Sequence, residues 1–523
     1  MNPNEPDNSK RTPRTRETSV PSLRGNAKDI LNQLQEDRNV GTEESDPPIV
    51  VRDGRTDHMA KGRAGSHRSH STDARGRTAP KQSISSTLAA LNRKAVKEKK
   101  HRFRSLYRLI DRQMLYDCFS RLKRGAASGV DGVTVGEYEK DLEQNLDSLL
   151  SRLIGKRYRA QAVRRHYIPK ANGKMRPLGI PAVEDKIVQL AASRVLESIF
   201  EADFSDRSVG YRRGKPGARQ ASYQLGRELH DGTFRWIVEA DIRSFFDEVD
   251  HDWLIRMIEQ RVDDRAFVGL IRKWLKAGVL EPDGTHPWDP EKGTPQGGVI
   301  SPVLANIYLH YAMDLWIEKK LSREYHGRII FMRYADDIIV GFEKKEEAED
   351  YLRRLPDRLA KFSLRLAEEK SSLVKFNRWE PDDSGRFTFL GFEFHWSRTW
   401  KNPRHKIVKR KTCKKKYREA LRKMEDWIRG ARFWPLKMIL SSLRSRLQGY
   451  WNYFGVKGNS RMTGRYFHEV TKLMFKWLNR RSQRKSYTWA KFAQLWSGTW
   501  QVPRPRVMEK VTLNEQGEFV LEP

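Results

Sequence analysis

Three aspartates stand where short apolar runs end. Asp336 and Asp337 lie between Ile329-Ile330-Phe331-Met332 and Ile338-Ile339-Val340, and Asp241 closes Trp236-Ile237-Val238-Glu239-Ala240. Runs rich in β-branched and aromatic residues read as strands, which places Asp336-Asp337 on a tight hairpin turn and Asp241 at a strand end. Asp is a favoured turn residue, so a bare Asp-Asp also suits a solvated hairpin. Enclosing two carboxylates without a counter-charge is costly, however. Hard oxygen ligands select Mg²⁺ or Ca²⁺, and Mg²⁺ takes one or two carboxylates together with substrate phosphates. If the strands are sheet neighbours, Asp241 joins Asp336 and Asp337 around two ions about 3.5–4 Å apart. Such a pair activates an attacking hydroxyl and stabilises a leaving phosphate oxygen.

Two other stretches suit a phosphate-bearing substrate. Arg164 to Pro181 reads as two strands joined at Asn172-Gly173, a strong hairpin signal. The turn brings Lys170 near Arg176, a point charge beside a planar fork, and such a pair can clamp a triphosphate. Gly293-Thr294-Pro295-Gln296-Gly297-Gly298 leads into a helix that is expected to run through Trp316. Its glycines permit close backbone approach, and a helix start presents N–H donors.

The elements that must position these residues occupy a long, basic chain. It has 523 residues and a formal net charge of +34, which implies a polyanionic partner, with nucleic acid favoured. Only Cys118 and Cys413 are present, which excludes a cysteine-based zinc site and fits a reducing compartment. No apolar run is long enough to span a bilayer, and the N-terminus lacks a signal-peptide core. No membrane partner and a cytoplasmic setting are expected.

Residues 1–95 read as a disordered polar and basic extension, with a brief helix at Asn26 to Gln35 and an RNA-compatible Arg/His/Ser stretch at Arg63 to Arg77. Helical spacing begins near Phe103 and continues through Leu153, interrupted by a loop at Gly125 to Thr134. Val183 to Phe200, Trp253 to Val279 and Lys344 to Leu366 also read as helical. Asp247 and Asp250 suit capping or ion pairing. Phe387 to Phe394 alternates apolar residues around Gly391, which suits an ordinary strand with Gly391 as a bulge. From Lys406 the chain reads as basic and helical, with cations and aromatics interleaved through Trp500. Cations supply phosphate affinity and aromatics can stack on bases, although the tryptophans also suit a bundle core.

Tyr334-Ala335-Asp336-Asp337 between strands resembles the signature of reverse transcriptases. The other motifs of that family follow its order: Ser208-Val209-Gly210-Tyr211-Arg212-Arg213, Pro295-Gln296-Gly297-Gly298, Leu366-Ala367-Glu368-Glu369-Lys370-Ser371 and Phe389-Leu390-Gly391-Phe392. Tyr211 and Arg213 depart from the usual Phe and Pro, which bears on template positioning. Ser128-Gly129-Val130-Asp131-Gly132-Val133-Thr134, Gly449-Tyr450-Trp451-Asn452-Tyr453-Phe454 and Arg480-Arg481-Ser482-Gln483-Arg484-Lys485-Ser486 resemble group II intron-encoded reverse transcriptase/maturases of bacterial type. The resemblance covers roughly Gly125 to Arg506. No C-terminal His-Asn-His nuclease with paired cysteines is expected.

The resemblance implies an α/β (α+β) right-hand polymerase. Residues 96–150 would be the helical part of the fingers and 151–395 fingers and palm with an antiparallel sheet. Residues 405–506 would form an all-helical thumb or maturase domain, and 507–523 a short tail. It implies two Mg²⁺ held by Asp241, Ile242, Asp336 and Asp337, the aspartates being catalytic. Nucleotide contacts would come from Lys170, Arg176, Phe246, Gln296, Gly297 and Lys370, with Phe246 excluding a 2′-hydroxyl. Tyr334, Leu390, Gly391, Arg480, Arg481, Arg484 and Lys485 would touch primer or RNA. The implied partners are template or intron RNA, a DNA primer or target, and dNTPs. Two rival readings remain open: a domesticated reverse transcriptase in repair or defence, and a non-catalytic RNA-binding splicing factor.

Overall fold

The computed structural model describes residues 83–169, 175–215, 217–284, 292–294, 297–380, 384–399, 402–481, 486–509, 511–513 and 519–521. All lie within the compact unit Met59–Pro523. The Asn26 to Gln35 helix, the Arg63 to Arg77 stretch and the Asn172-Gly173 turn lie outside the described residues.

Ordered structure begins earlier than the composition implied. Ile84–Lys97 is a helix, capped by the Ser83 hydroxyl, which accepts from the Ser86 N–H at 3.2 Å. Ile84, Leu88, Leu91 and Ala95 recur at helical spacing along it, a stripe hidden by the polar residues upstream. The stripe packs on the helix Val183–Phe200, with a bond from Asn92 Nδ2 to the Ser198 carbonyl at 3.1 Å. Val183–Phe200 has the predicted bounds and is buried on nearly every side, which suits its apolar run. Arg112–Ser120, Val135–Lys140 and Leu142–Ile154 complete this helical layer.

The strands are β1 (Val163–Pro169), β2 (Met175–Ile180), β3 (Trp236–Asp241), β4 (Val279–Leu280), β5 (Ile329–Tyr334), β6 (Asp337–Phe342), β7 (Ser372–Lys375), β8 (Phe387–Phe389), β9 (Phe392–Arg398) and β10 (Lys406–Thr412). A last pair, β11 (Val511–Leu513) and β12 (Phe519–Leu521), is antiparallel and falls in the stretch expected to be a tail. The central sheet has the order β5-β6-β3-β7, and each pair is antiparallel, as expected. The helix Lys345–Ala360 covers one face through the buried stripe Ala348, Tyr351, Leu355 and Leu359. β1 and β2 form the predicted hairpin, and β1 also pairs in parallel with β4. The stretch Trp253 to Val279, expected to be helical, holds two helices, His251–Glu259 and Arg265–Leu275, and ends in β4 at Val279. Asp250 caps the first, accepting from the Trp253 N–H at 2.9 Å.

The helix beginning at Ser301 runs beyond Trp316. Ser301–Leu309 is α-helical, His310–Asp314 and Trp316–Leu321 widen to π-helical hydrogen bonding, and Ser322–Glu324 closes it. Arg358 serves the widened turn, donating to the carbonyls of Ala312 at 2.7 Å and Tyr311 at 2.9 Å. π-segments cluster at functional sites, and this one carries Asp314.

Lys406–Thr412 is a strand, not the start of the helical region. It pairs with β9 in register, Lys411 opposite Glu393, and that pair forms an ion pair at 2.9 Å. Ile407 and Val408 supply β-branched side chains, and cross-strand charge pairing suits the basic residues to a strand. Helices Lys414–Ala431, Leu436–Phe454, Ser460–Leu478 and Trp489–Ser497 then build a bundle around Leu443, Leu447, Trp451, Val470, Met474 and Phe492.

Candidate active site

Tyr334 pairs with Asp337, which leaves Ala335-Asp336 as a two-residue hairpin loop. Ala335 has φ 57°, as short hairpin loops need at their first position to match strand twist. Gly210 lies directly against this loop: a Cβ there would stand 2.4 Å from the Ala335 nitrogen. The chain around Gly210 runs alongside β5, the Val209 N–H donating to the Arg333 carbonyl and the Arg333 N–H to the Arg207 carbonyl, each at 2.9 Å.

Beneath the loop is a buried polar network. Arg333 Nε and Nη2 donate to the two carboxylate oxygens of Asp314 at 2.7 and 2.6 Å. Arg333 Nη1 donates to Asn306 Oδ1 at 3.0 Å and to the Ala335 carbonyl at 3.1 Å. Asn306 Nδ2 donates to the Gly210 carbonyl at 2.9 Å. One guanidinium therefore ties the π-turn, the Gly210 segment and the Asp336-Asp337 turn together. The sequence reading passed over this network. Asp314 sits in no motif, and Arg333 reads as an ordinary strand residue until its burial is seen.

Asp241 faces Asp337 across β3 and β6, so the strands are the neighbours the three-carboxylate arrangement requires. Burial pushes the Asp336 carboxyl up, the Asp241 charge adds to this, and Arg176 and Lys370 oppose it. Burial likewise pushes Asp337 up to about 6, reinforced by Asp336 and then Asp241. Asp337 is nevertheless solvent-accessible: cleft walls strip part of its hydration while leaving an open approach. Lys370 donates to Asp241 Oδ2, and this bond is the main reason its ammonium is held above the usual lysine range. Ile242 follows with its side chain buried and its backbone bridged to Leu366, so only its carbonyl suits a cation.

No group of three or more His, Cys, Asp or Glu among the described residues is disposed to hold a metal ion as it stands. The donor chemistry still fits a hard divalent cation. Three carboxylates repel one another at one strand edge, and a lysine ammonium occupies one of them.

Of the residues expected to contact a nucleotide, Lys370 and Arg176 act on the carboxylates. Phe246 lies five residues past Asp241, half-buried, its ring edge-on to Phe245 at 5.2 Å. Its carbonyl accepts from the Thr294 N–H at 2.8 Å, and the Gly293 N–H donates to Val249 at 2.7 Å. Gly297 has φ 108°, and a Cβ there would meet the Gly179 carbonyl of β2 at 2.8 Å. Gly293 and Thr294 are thereby tied to the Phe246–Val249 segment, and Gly297 lies against β2. Arg176, opposite Ile168 in that hairpin, is exposed and acts electrostatically on both Asp336 and Tyr211. Lys170 and Gln296 lie outside the described residues.

On the other side, Leu390 (φ 52°) and Gly391 (φ 79°) form the loop between β8 and β9. The bundle holds this loop: Tyr453 Oη donates to the Leu390 carbonyl at 2.9 Å and the Cys413 N–H to the Gly391 carbonyl at 3.0 Å. The Lys416 stem lies 3.4 Å from where a Gly391 Cβ would be. The Lys416 charge offsets part of the upward push on the Asp337 carboxyl, and Tyr453 is pushed up by burial first and then by Tyr334 and Asp337. Tyr453 and Lys416 thus face the carboxylate cleft, a role the sequence reading did not give them. Half-buried Tyr334 has exposed Tyr211 as its ring neighbour at 6.4 Å. Arg480 and Arg481 are not gathered with the carboxylates. Arg480 lies over Trp477 at 5.5 Å, and Arg481 donates to the Trp434 carbonyl at 2.8 Å. Arg484 and Lys485 lie outside the described residues.

Residues 168–394 match the family described as reverse transcriptase (RNA-dependent DNA polymerase). The chain is 34% identical over 298 residues to the group II intron-encoded protein LtrA of Lactococcus lactis subsp. cremoris, covering 54% of this chain and 48% of LtrA. It is 34% identical over 240 residues to protein YkfC of Escherichia coli, covering 40% of this chain and 62% of YkfC. A putative COX1/OXI3 intron 1 protein of Saccharomyces cerevisiae is 28% identical over 317 residues, covering 52% of this chain and 37% of that protein. The match to LtrA thus spans about half of that relative's length. Among the described residues, no helix is long and apolar enough to cross a membrane. Matched over residues 168–394 by the reverse transcriptase family and along about half its length by LtrA, the chain is similar to group II intron-encoded reverse transcriptase/maturases.

Proposed function

We propose that the chain is an RNA-directed DNA polymerase that extends a primer with deoxynucleotides on an RNA template. The observation that carries this is the pairing of Asp241 with Asp337 beside Asp336, three carboxylates at one open strand edge with two of them pushed up in pKa. Asp241, Asp336, Asp337 and the Ile242 carbonyl would hold two Mg²⁺. Bound there, the ions would supply charge neutralisation at the α-phosphate and acidify the primer 3′-hydroxyl. With Asp241 engaged by a cation, the Lys370 ammonium would be available to the nucleotide phosphates. Arg176, with Lys170, binds the triphosphate. Phe246 closes the floor under the sugar against a 2′-hydroxyl, and Gln296 and Gly297 bound the nucleotide on the glycine-rich side. Leu390 and Gly391 grip the primer strand, and Tyr334 stacks beside its end.

In this reading the β1–β2 hairpin and the helices of residues 96–150 are fingers, the β5-β6-β3-β7 sheet is the palm, and the bundle from Lys414 is the thumb. The setting is the bacterial cytoplasm or nucleoid. A second role, stabilising a folded intron RNA for splicing, is favoured by the cations and aromatics gathered where Arg480 and Arg481 lie. Primer extension on an RNA template tests the first role: Asp336→Asn with Asp337→Asn is expected to abolish it, and retained extension would overturn the assignment. Sequencing the RNA bound in native cells tests the second. One dominant intron RNA supports it, and a diffuse set with unchanged splicing removes it.

A further inference from the structure

The helices Lys414–Ala431 and Ser460–Leu478 run parallel, Tyr417 beside Tyr466 and Glu425 beside Lys476, so their C-terminal ends share one tip of the bundle. The helix Leu436–Phe454 starts at the same tip. Phe433, Trp434 and Met438 are 67%, 43% and 56% exposed there. Cations surround them. Arg432 lies 4.3 Å over the Phe433 ring and 5.5 Å over Trp477, and Lys476 and Arg480 lie 5.0 and 5.5 Å over the same Trp477.

Part of this charge has a local purpose. Cations favour helix C-termini, Arg432 donates to the Arg429 carbonyl at 3.1 Å, and Lys476 pairs with Glu425 at 3.0 Å. That purpose does not account for two large aromatics left in water beside them. Flat apolar faces next to a cationic field match a partner with flat apolar faces and a repeating negative charge. Unpaired nucleotides have both. A duplex hides its base faces, whereas splayed bases stack on aromatic side chains while phosphates meet lysine and arginine. The N-terminus of Leu436–Phe454 adds positive character at the same tip.

We propose that this tip is a second RNA site, separate from the carboxylate cleft, which takes unpaired nucleotides of a folded RNA by stacking on Phe433 and Trp434 with phosphates against Arg432, Lys437 and Arg480. The proposal rests on the RNA-binding reading above and gives it a place and a mode.

The test uses the full chain with its cleft pre-loaded with an unlabelled RNA–DNA hybrid. Binding is measured for a labelled RNA hairpin with an open loop and for a blunt duplex of the same stem. Phe433→Ser with Trp434→Ser is expected to weaken hairpin binding about 10-fold, with duplex binding and primer extension unchanged. Trp434→Tyr on the otherwise native chain is expected to keep most of the affinity. Unchanged hairpin binding, or an equal loss on the duplex, would overturn the proposal, as would loss of a protein partner with RNA binding intact. A native chain that extends primers but binds no hairpin when pre-loaded would overturn it while leaving the polymerase reading standing. Should the double variant misfold, the native chain is cross-linked to a hairpin carrying 4-thiouridine in its loop. A cross-linked peptide containing Phe433 and Trp434 supports the site, and cross-links confined elsewhere overturn it.

Discussion

Arg333 meets Asp314 through two parallel hydrogen bonds at 2.7 and 2.6 Å, with both side chains fully buried, and the same guanidinium holds the Ala335 carbonyl inside the Asp336-Asp337 turn. Removing one partner of a buried pair leaves an uncompensated charge and costs about 3–5 kcal/mol, whereas replacing both by apolar groups is often tolerated. Arg333→Met alone is therefore expected to lower the urea midpoint strongly. Arg333→Met with Asp314→Leu is expected to regain much of the stability but little primer extension, because the Ala335 carbonyl and Asn306 still lack their donor. A stable double variant that extends primers at the native rate would show that the network supports the fold and not the turn.

Gly210 offers a local test of the same turn. A methyl group there would stand 2.4 Å from the Ala335 nitrogen, and backbone cannot yield as a flexible side-chain end can. Gly210→Ala is expected to push the turn away from Asp241 and to reduce extension by about 10-fold or more, in keeping with the sensitivity of reacting groups to small misplacements. Gly217→Ala is the control, since nothing lies within 4 Å of a Cβ there. Equal extension by the two variants would remove the positioning role.

The carboxylate site was legible because its parts obey local rules. Two apolar runs with Asp336-Asp337 between them could hardly be anything but a hairpin, and Asp241 ended a strand whose pairing the fold then supplied. The Arg333–Asp314 pair was not legible, because its partners are 19 positions apart and meet through a π-helical turn that no periodicity announces. Lys406–Thr412 was misread for a related reason. Its lysines suggested a solvated helix, while its pairing with Glu393 depends on a strand already present beside it. Ile84–Lys97 was missed because a short apolar stripe was averaged into a long polar segment.

Asp337 carries a pH signature. Its carboxyl ordinarily titrates near 3.8 and is pushed up to about 6 in the fold. Between those values the folded chain holds a proton the unfolded chain has lost, so this group's contribution to stability is full below 3.8 and is lost as pH rises through about 6. Asp337→Asn mimics the protonated form and escapes the loss. With divalent ions chelated, the variant is expected to gain melting temperature relative to the native chain as pH is raised from about 5 to 7. Added divalent ion is expected to erase that gain by stabilising the native carboxylate. A pH-independent difference would mean that Asp337 is not desolvated in the way its surroundings imply.

Leu390 adopts φ 52° in a loop where its neighbour Gly391 has φ 79°, and left-handed backbone is unfavourable for a side chain such as leucine by about 1–2 kcal/mol. The fold retains it because the Tyr453 hydroxyl and the Cys413 N–H hold both loop carbonyls, and because the Phe392 ring stacks on Tyr453 at 5.7 Å. Leu390→Gly should relieve the strain and leave the melting temperature equal or higher, yet it removes the side chain the primer would meet. Tyr453→Phe keeps the stack, loses one hydrogen bond worth about 1 kcal/mol and leaves the loop tied to the bundle by the Cys413 N–H alone among its two carbonyl bonds. Both variants are expected to start extension normally and to terminate early, with product length falling more than initial rate. The readout is the product-length distribution on a long RNA template under single-encounter conditions. Native lengths from both variants would show that the loop is held for stability alone and that the primer is gripped elsewhere.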